Sequence, residues 1–353
     1  MEFIQSLELS RMLFLEEISR VMEREFSELK YAAATLGMCS EVLGLDDEVS
    51  MDHEWGPRIS IFLREDDKIR YAEEINQALR KMLPAEYKGI NLMWRKPGVD
   101  IHNTREKALY HVYVTSVADA LNFYGGIKEL PLQEIDWLKV SEQHLLEFTA
   151  GVVYKDEIGE LTRARELLGY YPDNVLRFLL MKEWNTIGGD WFPIGRIGVR
   201  GDELGLQIQV AKLAQRFMRI AFMVSKMYFP YKKWFGTKFK DLPIASKIEP
   251  MLLGLLEEKN WRRVEEKIGD IATLLLDQQN KLRITPQITL KKEKEGGGRH
   301  HIKYDFWRLG RQISNQIKPP LKSLIHNEVF WLDSRNHILW NEEVGKWSLL
   351  LQK

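Results

Sequence analysis

The sequence predicts an α/β N-terminal domain, a small mixed sheet flanked by helices, followed by an all-α helical bundle. Two observations carry this. Up to about residue 126, helical periodicity alternates with short β-branched and aromatic runs. Beyond it the pattern is helical almost throughout, and one apolar stripe from about Asp202 to Met227 has the length and repeat of a central bundle helix. The implied organisation is an α/β domain over 1–126, a helical domain over 127–285, and a C-terminal extension over 286–353 that packs on the helical domain.

The elements follow in order. Leu9–Leu29 reads as a helix, with Ser10 at its cap and Leu13, Ile18, Val21, Met22 and Phe26 near helical spacing. The pattern continues through Tyr31 and Ala34 and is expected to stop at Gly37. An acid-rich loop follows, with Gly44, Asp46, Asp47, Glu48 and Ser50. Ile59–Leu63 has the content of a buried strand, and Lys68–Leu83 that of a helix closed by Pro84. Ile90–Trp94 and Tyr110–Thr115 are further strands, and Val117–Phe123 is a helix.

A linker from Gly125 to Trp137 leads into short helices at Ser141–Phe148 and Leu161–Leu168. A helix from Pro172 to Trp184 has an acid in its first turn, as the helix dipole favours. Gly188–Gly201, with Pro193, Gly195, Gly198 and Gly201 beyond Gly189, reads as a loop-rich insert. Met251–Leu256, Trp261–Leu276 and Phe306–Ile317 complete the helices, around a charged, glycine-rich break at Lys291–His301.

Composition bounds the function. With 353 residues, 44% hydrophobic and 29% charged, the chain has the make-up of a soluble globular protein. Lys plus Arg equals Asp plus Glu, at 51 each, which argues against nucleic acid or an anionic membrane as partner. The one cysteine, Cys39, excludes an intrachain disulfide and suits a reducing, cytoplasmic setting. No apolar run reaches a membrane span, and Met1–Arg20, acidic and amphipathic, reads as neither signal nor transit peptide.

The chemistry concentrates between Gly37 and Leu63. Gly37-Met38-Cys39-Ser40 is a turn whose backbone amides and serine hydroxyl can cradle phosphate. Asp52 and Glu54 precede the strand Ile59–Leu63, and on an extended backbone their spacing puts both carboxylates on one face. Such a pair can hold Mg²⁺; equally, it is what a solvated acidic loop looks like. Arg58 has two readings of equal weight, a planar fork for phosphate or an ion pair to Asp46 and Asp47. Glu41, Asp46 and Asp47 read as braces of the loop. Further along, Tyr231-Lys232-Lys233-Trp234 pairs cations with rings, which can close over a nucleotide or form a surface turn. Arg163 and Arg165 read as solvated helix surface.

The run Ser40-Glu41-Val42-Leu43-Gly44, Asp46-Asp47, Ser50, Asp52-His53 and Trp55-Gly56-Pro57-Arg58 resembles the nucleotidyltransferase superfamily, and more closely its DUF4037 branch. Thr149–Asp156, Leu168–Pro172 and Tyr228–Trp234 carry the same resemblance, which spans roughly residues 10–280. It implies a nucleotidyltransferase-like fold for the N-terminal domain. It also implies Asp52 and Glu54 as Mg²⁺ ligands and phosphate contacts from Ser40 and nearby backbone amides of the Gly37 turn, and it adds weight to the nucleotide reading of Lys232 and Lys233. The implied reaction moves a nucleoside monophosphate from ATP or another NTP to a hydroxyl of a small-molecule acceptor and releases pyrophosphate.

Two departures stand out. Cys39 precedes Ser40 where the superfamily usually has glycine. The third carboxylate is missing from the strand around His111–Thr115, and Asp100 and Glu147 are the nearest acids out of pattern. The alternative is a catalytically reduced, nucleotide-binding regulatory or interaction protein of the same fold.

Overall fold

A computed structural model describes residues 3–37, 40–52, 55–94, 108–109, 112–294 and 300–325. The chain forms two compact units. One comprises 1–131 and 144–169, the other 132–143 and 170–353, so the chain leaves the first unit and returns to it. Among the described residues no helix is long and apolar enough to cross a membrane.

The first unit is a mixed sheet with helices. Its strands are β1 (Ala32–Thr35), β2 (Ile59–Leu63), β3 (Val112–Ser116) and β4 (Val152–Asp156), in the order β3-β2-β1-β4. β1 runs antiparallel to β2, with Ala33 opposite Ile61, and antiparallel to β4, with Thr35 opposite Val152. β2 and β3 are parallel, Ile59 opposite Val112. A parallel pair needs a crossover, and the Glu65–Met82 helix supplies it. Ile59, Ile61 and Leu63 share a core with Leu13, Ile18, Val21 and Met22 of the N-terminal helix and with Ile75 and Leu79 of the crossover helix. Ser60 and Phe62, which alternate with them, are buried on the opposite face, so β2 is covered on both sides.

Three expectations change here. The N-terminal helix does not extend to Gly37. It occupies Ser6–Leu13 and Ser19–Glu25, joined by a π-helical turn at Phe14–Ile18. Ala32-Ala33-Ala34-Thr35, helix-forming by propensity, is a central strand with every residue buried. Alanine fits there because β1 has partners on both edges and side chains packed on both faces, and tertiary context overrides a weak local preference. Ser10 lies inside the helix, where its hydroxyl donates to the Ser6 carbonyl (2.7 Å) and accepts the Arg58 N–H (2.9 Å). Asp46 makes the contact at the helix start instead, accepting the Ser6 N–H at 2.7 Å. Finally, Val152–Asp156 is strand within a stretch expected to be helical, in keeping with its Val-Val-Tyr content.

The second unit is helical. The helices Asp173–Trp191, Glu203–Val224, Ala245–Leu256 and Trp261–Lys281 build it, with Phe306–Ser314 packed along Asp173–Trp191. The insert expected as loop at Gly188–Gly201 is mostly helix. The first helix runs on through Gly188 and Gly189 to Trp191, and Ile194–Val199 is another helix. Its glycines serve close packing. A Cβ on Gly188 would sit 3.2 Å from Phe306 Cβ and from Trp307 Nε1, and one on Gly198 would overlap the Trp261 side chain. Within the charged break expected at Lys291–His301, Lys292–Lys294 is a strand (β5), paired antiparallel with β6 (Ile302–Tyr304). Residues 326–353, with Trp331, Trp340 and Trp347, lie outside the described residues.

Candidate functional site

The sheet gathers several strand ends on one edge. β1 finishes there at Thr35, β2 starts at Ile59 beside it, and β3 and β4 start at Val112 and Val152. The segment carrying Gly37, Ser40, Asp52 and Arg58 leaves β1 at this edge and re-enters at β2. The Thr35 hydroxyl ties the two strands together by donating to the Arg58 carbonyl. The Tyr154 hydroxyl lies 2.8 Å from Thr35 Oγ1, and burial pushes its pKa up, which keeps it neutral.

Gly37 is buried with φ +114°, a region that glycine occupies freely and other residues rarely. A Cβ there would collide with the Tyr124 hydroxyl. The Gly37 N–H donates to the Glu147 carbonyl at 2.8 Å, which brings the Glu142–Thr149 helix to the turn. Ser40 is buried, and its carbonyl accepts from Leu43 N and Leu45 N at 3.1 and 3.0 Å, closing a 3₁₀ turn over Glu41–Leu43.

The loop beyond is braced by its own acids. Glu41 Oε1 meets Arg58 Nη2 at 2.6 Å, with side chains 2% and 10% exposed. Asp46 accepts the Trp55 indole N–H (3.1 Å) as well as Ser6 N–H. Asp47 Oδ1 accepts both Ser50 N–H and Oγ–H at 2.9 Å. Three acids read as braces therefore act as braces, and an ion pair joins Arg58 to Glu41.

Asp52 closes a second 3₁₀ turn, Glu48–Asp52, seven residues before β2 begins. The backbone at Asp52 is thus helical rather than extended, and the alternation argument that aligned it with Glu54 does not apply there. Met38, Cys39, His53, Glu54, Asp100 and His111 lie outside the described residues. Among the described residues, no three His, Cys, Asp or Glu side chains are grouped so as to hold a metal ion. The two carboxylates named by the sequence remain chemically suited to Mg²⁺, a hard cation that prefers oxygen.

Lys232 and Lys233 belong to the other unit. They are exposed in the first turn of the Lys232–Phe239 helix, Lys233 Nζ is 4.8 Å from the Trp234 ring centre, and the Tyr231 N–H donates to Gln143 Oε1 at 2.8 Å. In the same unit, Trp137, Tyr170, Tyr171 and Tyr228 form a ring cluster with centroids 5.0–5.6 Å apart.

One residue has a role the sequence reading missed. Arg163 is exposed, but Arg165 turns inward. Its Nη2 donates to the Thr149 carbonyl and to those of Ala150 and Gly151 (3.2 and 3.4 Å), and burial lowers its pKa. It satisfies the carbonyl end of the Glu142–Thr149 helix beside Gly37. The signal was its neighbourhood: a helix C-terminus ending in Ala150-Gly151 needs a cation or a cap.

Comparison with known proteins bears on part of this. Residues 137–235 match the family described as "Domain of unknown function (DUF4037)". The match covers that segment, less than a third of the chain. It contains β4, the ring cluster and the Tyr231–Trp234 turn, whereas the Gly37–Leu63 run lies outside it. No curated protein matches the chain.

Proposed function

We propose that the chain is a metal-dependent nucleotidyltransferase. It would transfer a nucleoside monophosphate from an NTP, ATP foremost, to a hydroxyl of a small-molecule acceptor and release pyrophosphate. The observation that carries this reading is the antiparallel pairing of β1 with β2. It brings the Gly37 turn, at the end of β1, to the sheet edge where the segment from Asp52 enters β2. That is the order of parts in the superfamily the sequence resembles: a glycine-serine turn, then paired acids before the next strand.

In this reading Asp52 and Glu54 hold Mg²⁺, and amides of the Gly37 turn with the Ser40 hydroxyl bind the triphosphate. The metal, when bound, neutralises phosphate charge. Arg58 acts as a positioning residue, because its pairing with Glu41 fastens the turn after Ser40 to the entry of β2.

A second reading, a catalytically reduced nucleotide-binding regulator, is favoured by one feature. The described residues of β3, Val112-Tyr113-Val114-Thr115-Ser116, provide no carboxylate beside β2. Titration with Mg²⁺ and ATP, combined with pyrophosphate detection across hydroxylated acceptors, separates the two. Turnover supports the enzyme. Tight, metal-dependent binding without turnover supports the regulator. No binding overturns both.

A further inference from the structure

A second site lies wholly within the helical unit. At the end of the Asp173–Trp191 helix a cavity of about 250 Å³ opens beneath the β5–β6 pair. This is somewhat below the roughly 300–1,000 Å³ of sites for drug-sized ligands, and it matches one or two fused rings.

Its wall is aromatic. The rings of Trp191 and His300 stack at 4.6 Å and 19°, and Phe192 and Trp307 meet edge to face at 5.7 Å. Phe192 and Trp307 remain 36% and 39% exposed, a large apolar area to leave in water unless something covers it.

The imidazole is fixed. His300 Nδ1 is 2.8 Å from Oε1 of Glu265, which is fully buried, while Glu265 Oε2 accepts the N–H groups of His301 and Ile302 at 2.8 and 3.0 Å. Glu265 thereby ties β6 to the bundle. It leaves Nε2 as the polar atom of the His300 ring with no hydrogen bond among the described residues.

The rim decides the sign of the ligand. Lys291 and Lys303 line the cavity, are exposed, and form no ion pair among the described residues. Of the two acids at the rim, Asp305 is committed to the Arg308 N–H (2.9 Å) and to Arg311 (3.5 Å), leaving Glu293 against two lysines.

We propose that this cavity binds a small planar aromatic acid, its ring against Phe192 and Trp307 and its oxyanion toward Lys291 and Lys303. The inference is independent of the nucleotidyltransferase reading.

The test is calorimetry on the full chain with four probes: indole-3-carboxylate, phenyl phosphate, neutral indole and cationic tryptamine. The expected result is that at least one acid binds, roughly tenfold more tightly than indole or tryptamine. The double variant Lys291→Gln/Lys303→Gln, at exposed positions that should not affect folding, is expected to lose that preference. Which acid binds better separates a carboxylate from a phosphate ligand. Absence of binding by both acids at millimolar concentration, equal binding of indole or tryptamine, or an unchanged double variant would overturn the proposal.

Discussion

Arg58 Nη2 and Glu41 Oε1 stand 2.6 Å apart in the first unit, both side chains nearly removed from water. The pair joins the start of β2 to the 3₁₀ turn that follows Ser40. Desolvation makes such a pair a modest net stabiliser, but removing one partner strips the other, a buried charge, of this counter-ion. Arg58→Ala is therefore expected to destabilise the protein by about 3–5 kcal/mol in urea unfolding. Replacing both partners with apolar residues, Arg58→Met with Glu41→Leu, should recover most of that. A double variant as unstable as the single one would show that the ion pair is not what holds this loop.

Gly37 is required by conformation and by space. Alanine at φ +114° is strained, and its methyl would meet the Tyr124 hydroxyl. Gly37→Ala should cost on the order of 1–3 kcal/mol, seen as a lowered melting temperature. An unchanged melting curve would contradict the turn described.

Gly198 makes the equivalent test in the helical unit. Its Cα approaches the Trp261 side chain so closely that Gly198→Ala must displace the indole. About 1–3 kcal/mol of destabilisation is expected from overpacking. Combining it with Trp261→Leu should give less than the sum of the two single effects.

His144, partly buried in the Glu142–Thr149 helix, has its pKa pushed below the ordinary 6.5 by burial. The unfolded chain then binds the proton more readily than the folded one. Stability from this group is complete above the unfolded pKa and is lost as pH falls below it. Urea unfolding between about pH 7.5 and 5.5 should show a larger loss for the parent protein than for His144→Gln. Identical pH dependence in both would refute it.

The helices Glu65–Met82 and Glu203–Val224 were legible because their apolar residues repeat with a clear period, and the strand Ile59–Leu63 because its residues are β-branched and aromatic. β1 was not, since four small residues, three of them alanine, carry no period and have helical propensity; only their burial in a sheet makes them a strand. The helical Gly188–Gly201 segment was hidden for a related reason. Glycine there signals close approach to Phe306 and Trp261, which a linear sequence does not display. At the candidate site, the bracing acids could be recognised by type. The partner of Arg58 could not, because Asp46 and Asp47 are as near in sequence and as well charged as Glu41. The aromatic cavity escaped notice because its rings come from two segments more than a hundred residues apart.

Under the proposed function, Asp52 and Glu54 carry metal-dependent nucleotide binding. The most direct measurement is calorimetric titration of ATP, with and without Mg²⁺, into the parent protein and into Asp52→Asn/Glu54→Gln, with circular dichroism as the check on folding. Mg²⁺-dependent binding to the parent and a loss of roughly a hundredfold or more in the folded variant are expected. Undiminished Mg²⁺-dependent binding by the folded variant would contradict that assignment.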